Sequence, residues 1–202
     1  MLPRHHFDVV IFQFPLVPAF NGHADFLHQC DGLSVNKLNR RLLWLYLIHC
    51  QRYLLAEQAS QLCYITSKDL MPYNQWNIEH AINQQTELHY LGCMDFDADL
   101  FPGYRIRNVN RDKFVRNRGG TTFVWSLEPD AFERVTTDEG FELRQPRYVS
   151  CEQHHYCTPC QAGLFATQQH IDGHVNSRKH RLMMEYEAQW QALLVRDGKD
   201  KY

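Results

Sequence analysis

Residues 7–15 read FDVVIFQFP. A short apolar run stopped by Pro15 predicts a buried β-strand over 7–14. Working outward, residues 15–34 carry Pro, Gly and Asn and read as a loop. From Asn36 to about Glu57 the period becomes helical. Leu38, Leu42, Leu45, Cys50 and Tyr53 recur at three- to five-residue steps, with Arg40, Arg41 and Arg52 elsewhere. QLCYIT at 61–66 reads as a second strand, Trp76–Gln84 as a short helix and ELHYLGCMD at 87–95 as a third strand. Gly119-Gly120 precede Thr121–Leu127 (TTFVWSL), a fourth. Strand, long helix, strand, helix, strand, strand predicts an α/β fold with a mostly parallel sheet and one antiparallel strand at the end.

The 202 residues hold 21 Lys+Arg and 23 Asp+Glu, a formal net charge of -2, with 44% hydrophobic residues. These values exclude dominant disorder and the collagen-like and coiled-coil classes. The best apolar run, Leu42–Ile48, has seven residues, so no membrane span is expected. The start, MLPRHHFDVVIF, lacks a signal-peptide layout. A near-neutral total argues against a wholly basic nucleic-acid glove and leaves room for local patches. One such stretch is Arg105–Arg118, with six basic residues and one acidic. It reads either as a solvated loop or as a phosphate-contacting one.

Seven Cys and twelve His are the unusual items. Cys151, Cys157 and Cys160 lie within thirty residues of His154, His155, His170, His174 and His180, while Cys30, Cys50, Cys63 and Cys93 are scattered. An odd count and one tight cluster point to a reducing compartment and a metal site, not a disulfide framework. The spacing Cys157-x2-Cys160-x13-His174-x5-His180 suits two thiolates on a knuckle and two imidazoles from a following helix around tetrahedral zinc. Phe165 and Ile171 supply an apolar plug. So small a module needs the metal to fold. His170, four residues before His174, is a competing ligand ranked below His180.

The segment Tyr156–Arg181 resembles the U1-type (matrin-like) subclass of C2H2 zinc fingers. Tyr156-Cys157, Cys160, Phe165, Ile171, His174 and the tail Ser177-Arg178-Lys179-His180-Arg181 carry the resemblance. It departs by one residue: thirteen separate Cys160 from His174 where twelve are usual, and the extra one is placed in the turn between Cys160 and Phe165. The resemblance implies binding to structured RNA, often double-stranded, or to a protein partner. Arg178, Lys179 and Arg181 would meet phosphate.

A second resemblance spans residues 7–127. FDVVIFQFP, NRRLLWLYL, QLCYITSKDLMPYNQWNIEHA and FDADLFPGY, in that order, are similar to the second half of the 25S rRNA uridine-N3-methyltransferase-like family. Its most specific parts are Pro72-Tyr73-x2-Trp76-Asn77-Ile78 and Phe101-Pro102-Gly103-Tyr104. The family implies a Rossmann-like class I methyltransferase sheet and transfer of a methyl group from S-adenosylmethionine to uridine N3 in rRNA. The strand at Asp8–Phe12 then matches the fourth strand of that fold. The strands and Gly-rich turn that hold the cofactor are expected in a missing half, so this chain reads as a fragment without its own cofactor site. The loop after the fourth strand, Asn-Phe-Pro-His in the family, is Gln13-Phe14-Pro15-Leu16 here. Gln keeps hydrogen-bonding capacity, whereas Leu16 cannot replace an imidazole. Uridine N3 needs a proton acceptor, and the sequence identifies none beyond Asp8 and His23 as options.

The RNA-facing candidates are therefore Gln13, Phe14, Pro15, Tyr73, Trp76, Asn77, Tyr104, Arg105, Arg107, Arg178, Lys179 and Arg181. For Tyr73 and Trp76 the rival reading is packing of the helix onto the sheet. Asn74 could cap that helix, and Phe101–Tyr104 could be a turn with Gly103 at positive φ. The expected organisation is a methyltransferase-related half at 1–128, a linker at 129–150, the finger at 151–182 and a helix with a charged tail at 183–202. By resemblance the location is nuclear and nucleolar. The alternatives are a non-catalytic RNA-binding adaptor and a subunit of an RNA–protein particle. In the latter a protein partner would supply or cover the missing half of the sheet, because apolar edges are rarely left bare.

Overall fold

The computed structural model describes residues 7–17, 30, 33–57, 61–104, 107–108, 111–114, 119–137, 142–144 and 155–197. Strand β1 (Val9–Gln13) leads through helix α1 (Val35–His49), continued by a π-turn at Cys50–Leu54, to β2 (Leu62–Ser67). β1 and β2 pair in parallel, Val9 opposite Leu62, the arrangement a helical crossover requires. A 3₁₀ turn (Tyr73–Gln75) and the short helix α2 (Ile78–Ala81) lead to β3 (His89–Phe96). A small hairpin, β4 (Arg107–Asn108) and β5 (Arg111–Phe114), precedes β6 (Gly120–Ser126).

The main sheet has the order β1-β2-β6-β3. The expectation of a mostly parallel sheet needs correction. β1, β2 and β3 share a direction, but β6 inserts between β2 and β3 and is antiparallel to both. The antiparallel strand is the last of the four in chain order and internal in the sheet. All six residues of β2 are buried, whereas β1 pairs only with β2 among the described residues and leaves Ile11 55% exposed. The strand predicted to be buried is thus an edge strand. The expected helix at Trp76–Gln84 shortens to Ile78–Ala81.

The two faces of the sheet are covered separately. Cys63, Ile65 and Trp125 pack toward α1 through Leu43, Trp44, Leu47 and Ile48. Leu62, Tyr64, Leu91 and Val124 pack on the opposite face against Ala131 and Val135. Those last two belong to helix α3 (Ala131–Thr137), which lies inside the segment read as a linker. Farther along that segment, Arg144 exchanges backbone hydrogen bonds with Cys93 and extends the edge of β3. Polar composition hid two core residues placed four apart.

The C-terminal part forms a hairpin, β7 (His155–Cys157) with β8 (Ala162–Phe165), followed by α4 (Gln168–Val175) and α5 (Arg178–Asp197). α5 is one continuous helix across the boundary expected at residues 182–183. Its far half is buried with α1: Trp190 meets Trp44 edge to face at 6.3 Å and donates its indole N–H to the Ala81 carbonyl at 2.9 Å. This helix explains a second difference from the sequence reading. α1 buries Asn36, Asn39 and Arg40 with Leu43 and Leu47 and leaves Leu38, Leu42 and Leu45 half-buried; Asn36 donates to the Gln75 carbonyl, Asn39 accepts from the Val17 N–H, and α5 covers Arg40. Arg40, expected on the polar side, is 0% exposed and pairs with Glu187 at 3.0 Å; Arg41 pairs with Asp197 at 2.8 Å.

Candidate metal centre and nucleic-acid interface

Cys157, Cys160, His174 and His180 come together with their ligand atoms all within 4.8 Å of one another. Both sulfurs lie 3.5 Å from His180 Nδ1, and His174 Nε2 lies 3.2 Å from the same nitrogen. A zinc tetrahedron with Zn–S of about 2.3 Å and Zn–N of about 2.05 Å has S–N edges near ~3.5 Å and N–N edges near ~3.3 Å. The three distances at His180 Nδ1 match those edges, and the four ligand atoms, all within 4.8 Å of one another, could hold a tetrahedral ion.

Local sequence builds this geometry. The Cys-x2-Cys knuckle sits in the β7–β8 turn, where Gln161 (φ 50) and Gly163 (φ 137) take left-handed backbone. Gly163 has no alternative there, since a Cβ would lie 2.7 Å from the His155 carbonyl. The Ser177 hydroxyl accepts from the His180 N–H at 3.1 Å, capping the first turn of α5 and orienting His180. Phe165 lies against the His174 ring at 4.8 Å. Burial, with smaller contributions from His180 and Lys179, lowers the His174 pKa and favours the neutral imidazole a metal needs. Burial and then Cys157 push the Cys160 thiol up to about 12. His170 and His155 are exposed and outside the cluster. Cys151 and His154 lie outside the described residues, and the described cysteines are all free thiols.

The second candidate region is the carboxyl edge of β1, β2 and β3, the edge where open α/β sheets bind ligands. Gln13 is exposed at the end of β1. Phe14 adopts φ 50, donates its N–H to the Thr66 carbonyl at 2.8 Å and swings across the strand ends. Its ring passes over Gly120, where a Cβ would lie 3.2 Å from it, and reaches Phe96 edge-on at 5.3 Å. Phe101 stacks on Phe96 at 5.6 Å and 9°, and Tyr104 closes the group at 6.1 Å from Phe96. Phe101–Tyr104 is a turn with Gly103 at φ 86, as its composition suggested. Phe14 and Tyr104, both named from the sequence, are thus brought together by Phe96, which the reading missed although it heads the FDADLFPGY segment.

Other candidates are placed differently. Trp76 is 1% exposed and belongs to the core, so it is a packing residue and cannot touch RNA as the fold stands. Tyr73 is half-buried against it at 4.9 Å. Pro15 is buried, and Leu16 packs on the core cluster. Asn77, not Asn74, occupies the N-cap of α2, in left-handed backbone and without a capping bond. Its buried Oδ1 instead accepts from Gln161 Nε2 at 3.1 Å, tying the Cys knuckle to the sheet domain. Nothing local signals that contact, which joins residues 84 apart. Arg107 lies in β4, Asp8 is exposed just before β1, and Arg178, Lys179 and Arg181 are exposed at the start of α5. Arg105 and His23 lie outside the described residues. Between the knuckle and the sheet runs a polar cleft of about 690 Å³, lined by Asp69, Asn74, Glu79, Asp95, Arg144 and Gln161 among others. Arg144 is held there by Asp95 at 2.8 Å, and Asp69 accepts from the Thr121 hydroxyl at 2.7 Å.

Fold and site together define a mixed α/β protein with an attached Cys2His2 cluster that could hold a metal ion. Residues 1–108 match the BMT5-like family, described as rRNA (uridine-N3-)-methyltransferase BTM5-like, and the chain belongs to this family. No curated protein and no solved structure matches. The family suggests uridine methylation in rRNA, with RNA as substrate and S-adenosylmethionine as donor. The turn after β1 does not fit a cradle for that donor. Its described residues at the strand end, 14–17, include no glycine, Pro15 is buried among them and Phe14 closes over the strand ends. No helix among the described residues is long and apolar enough to cross a membrane.

Proposed function

We propose that this chain is an rRNA uridine-N3-methyltransferase-like protein in which a zinc finger of the U1 type is built onto the family's α/β unit to dock RNA. The observation that carries the reading is the continuity of α5, which gives His180 to the Cys/His cluster and Trp190 to the core of the family-matched residues. A finger so joined presents RNA in one orientation to the sheet.

In this reading Cys157, Cys160, His174 and His180 hold Zn²⁺, whose chemistry is structural: four protein ligands leave no open position. The exposed Arg178, Lys179 and Arg181 meet phosphates. Gln13, Phe14, Tyr73, Tyr104, Arg105 and Arg107 face the RNA, while Pro15, Trp76 and Asn77 support them from beneath. Equating β1 with the fourth strand of a Rossmann-like sheet is supported by its open edge, where earlier strands would pair. S-adenosylmethionine binding is not assigned to these residues. The proposed division keeps a methyltransferase-related part at 1–128 and a finger at 151–182; the segment between them contributes α3 to the sheet, and 183–202 continues the finger helix into the core. Nucleolar location follows from rRNA as target.

A second reading, a non-catalytic RNA-binding adaptor or particle subunit, is favoured by Leu16 packing inward. In-cell crosslinking and sequencing of bound RNA tests the shared part. rRNA enrichment that falls with Cys157→Ser supports it, and crosslinks spread evenly over RNA classes refute it. Mass spectrometry of N3-methyluridine in rRNA after depletion separates the readings: loss of the mark favours the enzyme, and an unchanged mark favours the adaptor.

A further inference from the structure

We infer that the aromatic group at the carboxyl edge of the sheet is a stacking platform for unpaired RNA bases, a second RNA-contacting site distinct in kind from the phosphate contacts proposed for the finger. The inference rests on the proposed RNA-binding function and adds the class of RNA segment that this edge takes.

The geometry is that of a platform with one side open. Phe96 is 7% exposed and anchored between Phe14 and the turn, so it cannot rotate out. Phe101 lies parallel to it, covered on that face, yet remains 50% exposed; Tyr104 is 39% exposed and Leu100 73%. Burying an aromatic ring is worth a large share of a small domain's stability, and a lone exposed one needs no explanation. Here two rings and a leucine are exposed together on a rigid base, at the edge of the sheet where ligands bind. The Gly103 turn fixes them: the Tyr104 N–H donates to the Phe101 carbonyl at 2.9 Å.

Charge selects the occupant. The platform runs directly into Arg105–Arg118, with six basic residues against one acidic, folded in part as the β4–β5 hairpin. Asp97 and Asp99, exposed before the turn, repel phosphates on their own side. The strand of RNA would therefore lay its backbone along the basic hairpin and its bases on Phe101 and Tyr104. Ring faces accept any base, whereas paired bases in a duplex offer only their edges, so the platform takes single-stranded RNA.

The test uses the zinc-loaded full chain and fluorescence anisotropy with an unstructured RNA of about 12 nucleotides, within the site sizes such grooves cover, and a duplex of equal length. Phe101→Ala and Tyr104→Ala each weaken single-strand binding by about 5- to 100-fold. Phe101→Trp retains it, Phe101→Leu does not, and duplex binding changes less than twofold. Both rings are surface groups, and circular dichroism checks the fold. Single-strand binding indifferent to Phe101→Ala and Phe101→Leu, or equal loss on the duplex, overturns the platform while leaving the proposed function standing. Failure of the wild-type chain to bind either RNA overturns both.

Discussion

Removing the carboxylate of Glu187 tests how the Cys/His module is held on the sheet. Arg40 has no exposed surface, its partner Glu187 is 18% exposed, and a second guanidinium nitrogen donates to the Gln75 carbonyl at 3.1 Å. Burial lowers the Arg40 pKa and Glu187 opposes that shift, so the charge is tolerated because the pair exists. Losing one partner of a buried pair costs about 3–5 kcal/mol. The Gln75 carbonyl keeps one bond and Glu187 is partly wet, so Glu187→Ala should cost about 3 kcal/mol, near the lower end of that range. With a urea slope of about 2 kcal/mol per molar, the midpoint falls by about 1.5 M. Replacing both residues by Met removes the charge with its partner and should cost under about 1 kcal/mol. The measurement is urea unfolding followed by tryptophan fluorescence in excess zinc. A single variant within about 0.5 kcal/mol of wild type would refute the reasoning, as would a double variant as unstable as the single.

Trp190→Ala empties the contact with Trp44 and strands the Ala81 carbonyl, and should cost about 3–5 kcal/mol in the same unfolding assay. Cys157→Ser should abolish stoichiometric zinc by elemental analysis and remove the thiolate-to-metal absorption of the Co²⁺-substituted protein, leaving the sheet's circular dichroism in place. Burial holds the His80 pKa down at about 4, with Glu187 opposing. The unfolded chain then binds the proton first, so stability is full above about pH 6.5 and falls as pH drops toward 4, by about 3 kcal/mol from this group. His80→Gln should flatten that part of the stability–pH curve in parallel melts.

Strand and helix periods made most elements legible, because each depends on residues a few positions apart. Two of the departures have a common physical cause. α3 sits in a polar segment whose buried apolar anchors, Ala131 and Val135, matter once Leu91 and Val124 lie opposite them. Arg40 looks solvent-facing until α5 returns to cover it. Asn74 was the cap its composition suggested, but Asn77 takes the N-cap position without a capping bond and accepts from Gln161 instead.

The sequence by itself determined the Cys2His2 cluster, since a two-residue knuckle and closely following imidazoles place four ligand atoms with little help from the rest of the chain, although His174 and His180 sit on two successive helices, α4 and α5, where one was expected. It also determined the family, through ordered motifs that survive as packing and turn residues. Only the tertiary structure decided that β6 lies inside the sheet, that Trp76 supports the fold instead of facing RNA, and that Phe14 crosses the strand ends to join Phe96, Phe101 and Tyr104. These are meetings of residues tens of positions apart, set by where the chain returns and which surface it then removes from water; no local spacing encodes them.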